Sequence, residues 1–373
     1  MLIYIIIFLS SILLAFIAEK SKKNKPVYYT LIFTIITFLS IFAGIRDIGV
    51  GTDTNIYSEA YFNVSKSIHR WSNLFEIQDN SFRDIGYICL NKIASTISNE
   101  IGMALFITEL LILSPIFYVA NKYNNKKQIN IAVFTTIYLF SYYNLSLNIM
   151  RQSCAVSLIF LSYYFCTEKK WISTFITLAI AFTFHSTTVI AILIFIFHYI
   201  SSKYYNHQIK ILFVCIFIML LIYLNYYYFL QLAISKGFAN EYFIEAYGQD
   251  SMYEASSRIT KITYISIFIN SYTIYLSYKY KILSNTVHFF WILCFLFNAM
   301  AIHLSLYLVF LSRIGYPFNF ICMYFTIIVL SHKKISSTYK FIYYFIIVFS
   351  WYYSYIYLNN SETYPYTSKF LGV

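Results

Sequence analysis

Along this chain, apolar runs of about 17–22 residues alternate with short polar connections, most of them carrying lysine. A helix needs about 20 apolar residues to cross about 30 Å of hydrocarbon. Each run therefore predicts a membrane-spanning helix, at 2–18, 27–45, 101–120, 129–148, 152–167, 171–184, 186–200, 211–234, 259–278, 285–304, 314–331 and 340–358. The expectation is all-α: one polytopic helical bundle over 1–373 with about twelve crossings. The short-strand alternation of a membrane barrel is absent. The runs on either side of His185 are short enough to form a broken or re-entrant pair. Residues 85–98 have the spacing of an amphipathic helix at a membrane face. The two longest polar connections are 46–100 and 235–258, and no internal repeat stands out.

Composition supports the membrane reading. The chain is 60% hydrophobic and 11% charged, where soluble domains carry roughly 25% charged residues. Its mean hydropathy is +0.63. The net charge of +12 does not indicate nucleic acid, because the lysines form small clusters between apolar runs and no continuous basic face. The six cysteines lie mostly within apolar runs and lack metal-ligand spacing, which makes them packing residues. Positive charge follows the 2–18 run, the reverse of a cleavable signal, so this run is expected to stay as a first helix with its N-terminus outside.

Charge distribution then orients the bundle. One set of alternate connections holds sixteen lysines against Glu19 and Glu168 only, which marks the cytoplasmic side. All six arginines (46, 70, 83, 151, 258 and 313) then fall outside. Arginine offers a planar fork suited to phosphate, so an anionic ligand on that side is expected.

The densest polar stretch is Arg46-Asp47-Ile48-Gly49-Val50-Gly51-Thr52-Asp53-Thr54-Asn55-Ile56-Tyr57, at the end of the second run. Gly49 and Gly51 allow a tight turn and close backbone approach. Asp53 is suited either to capping the next helix or to acting as a base. A glycine turn with a cap explains Gly51 and Asp53 but leaves Arg46 unaccounted for. Asn148-Ile149-Met150-Arg151-Gln152 joins two runs with almost no loop, so Arg151 must snorkel, pair or line a wet cavity. Phe184-His185-Ser186 interrupts an apolar stretch, and an ordinary imidazole suits proton transfer near neutral pH. Ser312-Arg313-Ile314-Gly315-Tyr316 opens the eleventh run. Glu109 is the one acid well inside a run, costly there unless paired or protonated. No P-loop, GxSxG, HExxH or paired-histidine motif occurs, so neither a metal nor a cofactor is expected.

These pieces, with Asp84-Ile85-Gly86-Tyr87-Ile88-Cys89-Leu90-Asn91-Lys92 between them, occur in an order that resembles the EpsG family of exopolysaccharide-synthesis membrane proteins, related to Wzy-like O-antigen and capsule polymerases. The likeness runs over about residues 40–320. In the second motif Asp84 stands where the family often has Glu. The resemblance implies an enzyme at the outer face of the bacterial cytoplasmic membrane. Such an enzyme joins undecaprenyl-pyrophosphate-linked oligosaccharide repeats, with a flippase and a chain-length regulator as associated partners. Its site would comprise Arg46, Arg151 and Arg313 on the diphosphate, with Gly51, Thr52 and Tyr57 in the binding loop. Asp53 or His185 would be the base. The abundant tyrosines and phenylalanines suit lipid and interface positions, with some stacking on sugars. Alternatives are a flippase for the same lipid-linked saccharide, a ligase or other glycosyltransferase, or a scaffold. A flippase needs polar groups open to both faces, and here they concentrate at one. Charge stabilisation by arginines alone predicts that purified protein extends lipid-linked repeats in EDTA; a strict divalent-cation requirement overturns that mechanism.

Overall fold

A computed structural model describes residues 1–68, 70–71, 85–186, 188–225, 228, 231, 256–305 and 311–373. Among these the protein is all-helical, with no strand. The helices are α1 (Leu2–Lys20), α2 (Lys25–Gly44), α3 (Glu59–Ser67), α4 (Ile85–Ile97), α5 (Ile101–Asn125), α6 (Ile131–Tyr138), α7 (Asn144–Asn148), α8 (Met150–Thr167), α9 (Trp171–Phe184), α10 (Thr188–Lys203), α11 (Gln208–Leu224), α12 (Ser256–Lys279), α13 (Asn285–Leu304), α14 (Leu311–Ser331) and α15 (Ser337–Trp351). Six are long and apolar enough to cross a membrane: α1, α2, α5, α11 with the turn before it, α13 and α14. α9 and α10 are apolar but shorter. The protein is therefore a membrane protein with several spans.

Two expected runs differ in form from single helices. The 129–148 run is α6, a π-helical turn at Leu139–Tyr143 and the short α7. The 340–358 run is α15 continued by a π turn at Tyr352–Tyr357. Of the two long polar connections, 69, 72–84 and 235–255 lie outside the described residues.

The chain divides into two compact units, 1–189 with 330–373, and 190–329. In the first unit, lysine-bearing connections gather at one end. Lys22 Nζ donates to the Asn124 carbonyl (2.5 Å) and side chain (2.7 Å). Lys126 pairs with Glu168 at 2.5 Å, the Ile131 amide donates to Glu19 (2.9 Å), and the Asn130 amide donates to Ser331 (3.0 Å). Half-exposed pairs of this kind contribute little stability, about 0–1 kcal/mol each. Their value is topological, because they show that alternate connections of the unit meet.

At the opposite end, residues 359–373 fold back as a strap over the polar loop after α2. The Asp47 amide donates to the Thr367 carbonyl (3.0 Å) and the Gly51 amide to the Glu362 carbonyl (2.8 Å). The Lys369 amide donates to Asp47 Oδ1 (3.0 Å), and Ser368 Oγ to the Ile45 carbonyl (2.5 Å). The Tyr4 hydroxyl donates to the Thr363 carbonyl (2.7 Å), and that of Tyr366 to the Phe42 carbonyl (2.7 Å). Phe42 and Tyr366 stack at 4.1 Å, and Tyr4 meets Phe42, Trp351 and Tyr366 edge-on. In lipid, such close packing and internal hydrogen bonding hold helices together where no hydrophobic gain separates protein from solvent.

α4 covers most of the 85–98 stretch, and one face of it is buried. Tyr87, Leu90, Asn91 and Ala94 are buried at helical spacing, and the helix packs on α3, α5 and α9. We propose the charge-based orientation for this unit, with the strap end outside. Gly49 has open space where a Cβ would stand and Lys23 is exposed. In intact cells, an impermeant thiol reagent should label Gly49→Cys above the native background and leave Lys23→Cys unlabelled until the membrane is opened. The reverse pattern overturns the orientation.

Candidate functional site

The polar end of the first unit is organised around α7, five residues long. Asn144 donates through Nδ2 to Thr363 Oγ1 (3.1 Å) and accepts from Trp351 Nε1 (2.8 Å), joining it to the strap and to α15. Ser146 Oγ donates to Glu109 Oε1 (3.0 Å) on α5. The Leu147 carbonyl accepts from Arg46 Nη2 (2.8 Å), and Asn148 Oδ1 accepts from the Asp53 amide (3.0 Å). Hydrogen bonds from four of its residues thus tie α7 to the strap, to α15, to α5, to the end of α2 and to the glycine loop.

Arg46 is 5% exposed. Besides Leu147, its Nη2 reaches Thr54 Oγ1 (3.3 Å) and Met150 Sδ (3.2 Å). Among the described residues, its Nε and Nη1 have no hydrogen-bond partner. Burial works against the guanidinium charge, and the Glu109 carboxylate is the leading group that supports it. Arg46 therefore lies beneath the surface, bracing the loop against the α7–α8 junction.

Arg151 sits on the same junction but is only half-buried. Its guanidinium lies over the rings of Tyr57 (4.8 Å) and Tyr61 (5.2 Å), and Nη1 donates to the Tyr61 hydroxyl (3.1 Å). A planar cation between two aromatic faces is held without losing its charge. Tyr61 packs edge-on against Tyr87 (5.4 Å), whose hydroxyl is 3.2 Å from Ser58 Oγ. Arg151 falls in the first turn of α8, and Ile149 before it has no side-chain oxygen to cap the helix. A helix start and a guanidinium together form a positive end suited to an anion.

The glycine loop divides into a required and a permissive position. Gly51 has φ +100°, and a Cβ there would stand 3.1 Å from Thr54 Oγ1 and 3.2 Å from the Leu147 carbonyl. Gly49 meets nothing within 4 Å, so the tight approach rests on Gly51 alone. Thr52 and Asp53 are half-buried and lead into a π turn at Thr54–Ser58 without a side-chain cap from Asp53. Capping therefore does not account for Asp53. Tyr57 is half-exposed on the face that receives Arg151.

His185 ends α9 in extended backbone (φ −161°, ψ 137°) and is half-buried. Its neighbours meet the second motif: a Cβ at Gly86 would collide with Thr183 Oγ1 and lie 3.0 Å from the Phe184 ring. α9 runs back along α8 after a three-residue turn, which returns His185 to the Arg151 end. Asp84 lies outside the described residues. Arg313 is in the first turn of α14, in the second unit, and is half-buried. The first unit thus brings Arg46, Gly51, Thr52, Asp53, Tyr57, Arg151 and His185 to one end.

A family model for the EpsG family matches residues 29–368. The chain belongs to the EpsG family. No curated protein and no solved structure matches it. The EpsG match extends past the motifs on both sides and takes in residues 359–368 of the strap, which the motif likeness over about 40–320 did not reach. EpsG membership points to exopolysaccharide biosynthesis at a membrane. Sequence reasoning quoted Thr54 and Asn148 only as members of longer polar stretches and missed Tyr61, Asn144 and Ser146 in this EpsG protein. All five are common polar residues with no motif of their own. Substituting Gly51→Ala should cost about 1–3 kcal/mol through its positive φ and its contact with Leu147, read as a lower melting temperature in detergent, whereas Gly49→Ala should leave it unchanged. Equal effects would overturn this division of the loop.

Proposed function

We propose that the protein is a Wzy-like polymerase that joins undecaprenyl-pyrophosphate-linked oligosaccharide repeats at the outer face of the bacterial cytoplasmic membrane. The observation that carries this reading is Arg151: a half-buried guanidinium held between Tyr57 and Tyr61 at the end of a membrane bundle, in a family linked to exopolysaccharide biosynthesis. A lipid diphosphate leaving group sits at headgroup depth, and a fixed cation at a helix end is the group it needs there.

In the reaction, the bond between the donor's anomeric carbon and the diphosphate oxygen breaks. That carbon forms a bond to a hydroxyl oxygen of the acceptor repeat. The hydroxyl proton passes to a base, and the lipid diphosphate departs as an anion facing Arg151. Arg46 supports it from beneath. Asp53 is the base we favour, because its backbone is pinned to Asn148, three residues from Arg151; His185 is the alternative. Tyr57 and Tyr61 offer ring faces to a sugar as well as to the cation. Concentration of these groups at one end favours transfer chemistry over a transport path, which needs polar groups along its length.

Arg151→Ala should lower polymer formation by about 100-fold or more while single repeats accumulate, the scale of losing one donor to a developing anion. Arg151→Lys should retain a small part, since a point charge lacks the fork and the ring stacking. Polymer length and protein level in membranes check both. Normal polymer from well-expressed Arg151→Ala sinks the assignment.

A further inference from the structure

Glu109 is a buried acid that the reaction above leaves without a role. It is 2% exposed, in the apolar helix α5. Its Oε1 accepts from Ser146 Oγ (3.0 Å), whose single proton is shared with the Tyr143 carbonyl (2.7 Å). Ser146 is followed in the chain by Leu147, which receives Arg46. Among the described residues, the buried Glu109 carboxylate and the buried Arg46 guanidinium are therefore fixed on consecutive residues of α7.

They are not in direct contact, since no ion pair within 4.0 Å joins them among the described residues. Each is still the other's leading counter-charge. Tyr138, Tyr143 and Cys154 also lie within reach of the carboxylate's charge. Either charge alone would be strongly unfavourable in such a site, whereas a well-packed apolar residue would serve stability at least as well as the pair. What the pair supplies is geometry: it locks the short helix that ends at Asn148 and hands the chain to Met150 and Arg151.

We propose that Glu109 is a positioning residue of the proposed transfer site, balancing Arg46 so that the 147–151 junction presents Arg151 to the lipid diphosphate. The inference rests on the polymerase reading, and its test separates the two. Glu109→Gln keeps volume and an acceptor for Ser146 but removes the charge. Glu109→Asp keeps the charge but shortens the side chain. A role through charge predicts that Glu109→Gln forms about tenfold less polymer per unit of protein, with Glu109→Asp recovering most of it. A steric role predicts the opposite order, and that result overturns the proposal.

Polymer is measured with purified full-length variants and a lipid-linked repeat as substrate, alongside melting temperature. Should Glu109→Gln fail to accumulate, combining it with Arg46→Met should restore protein level by removing the uncompensated charge, still without polymer. Failure to restore it overturns the pairing. Arg151→Ala runs in parallel: normal polymer there defeats the polymerase reading, whereas an inactive Arg151→Ala beside a normal Glu109→Gln defeats only the role of Glu109.

Discussion

The donation of Arg46 Nη2 to the Leu147 carbonyl is the contact on which the polar end of the first unit depends. It closes a helix end inside a membrane protein, where a free carbonyl has no water to turn to. It also brings the chain just after α2 against the chain just before α8, about a hundred residues apart. The glycine loop, the Thr54–Ser58 turn and the Arg151 junction are registered against one another by that single guanidinium. A C-terminal helix carbonyl is a favourable partner for a cation, so the brace stabilises both the charge and the backbone it touches.

The strap acts on the same point from the other side. Its Glu362 and Thr367 carbonyls take the Gly51 and Asp47 amides, and Thr363 meets Asn144 of α7. Asp47, next to Arg46 in the polar stretch, accepts the Lys369 amide and so clasps the strap. The loop is thereby held along both edges, by α7 beneath and by 359–373 above. That explains how a glycine-containing connection keeps one shape at a membrane edge: its amides are satisfied by partners remote in sequence.

Hydropathy made the helices legible, since apolar runs of spanning length have few other readings. Arg46 and Arg151 were legible for a related reason: a charge at the end of such a run is costly and draws notice. Their unequal burial was not, because it depends on which residues come from afar to cover them. Thr54, Ser146 and Asn148 look like ordinary polar residues until a guanidinium, a carboxylate and an amide arrive. The strap has no apolar period and lies more than 300 residues from the loop it covers. Glu109 stood out as an acid in lipid, yet its partner emerges only through α7.

The 129–148 run is broken rather than continuous. A continuous helix there would span the membrane more simply. Instead the chain passes through a π turn at Leu139–Tyr143, runs five residues as α7, and turns at Ile149 (φ −83°, ψ 55°) into α8. Irregular backbone is tolerated at membrane depth only where protein encloses it, and Asn144, Ser146, Leu147 and Asn148 are all buried. Distortions of this kind are often found at functional sites, because they redirect side chains that a regular helix would hold in fixed register. Here the Leu147 carbonyl accepts from Arg46 Nη2, while the Arg151 side chain, four residues on, lies over Tyr57 and Tyr61. A continuous α-helix would direct that carbonyl along its axis, toward the amide four residues on. The turn at Ile149 thus leaves the last carbonyls of α7 at a helix end, where a side chain from α2's end can reach them, and starts α8 afresh with Arg151 in its first turn.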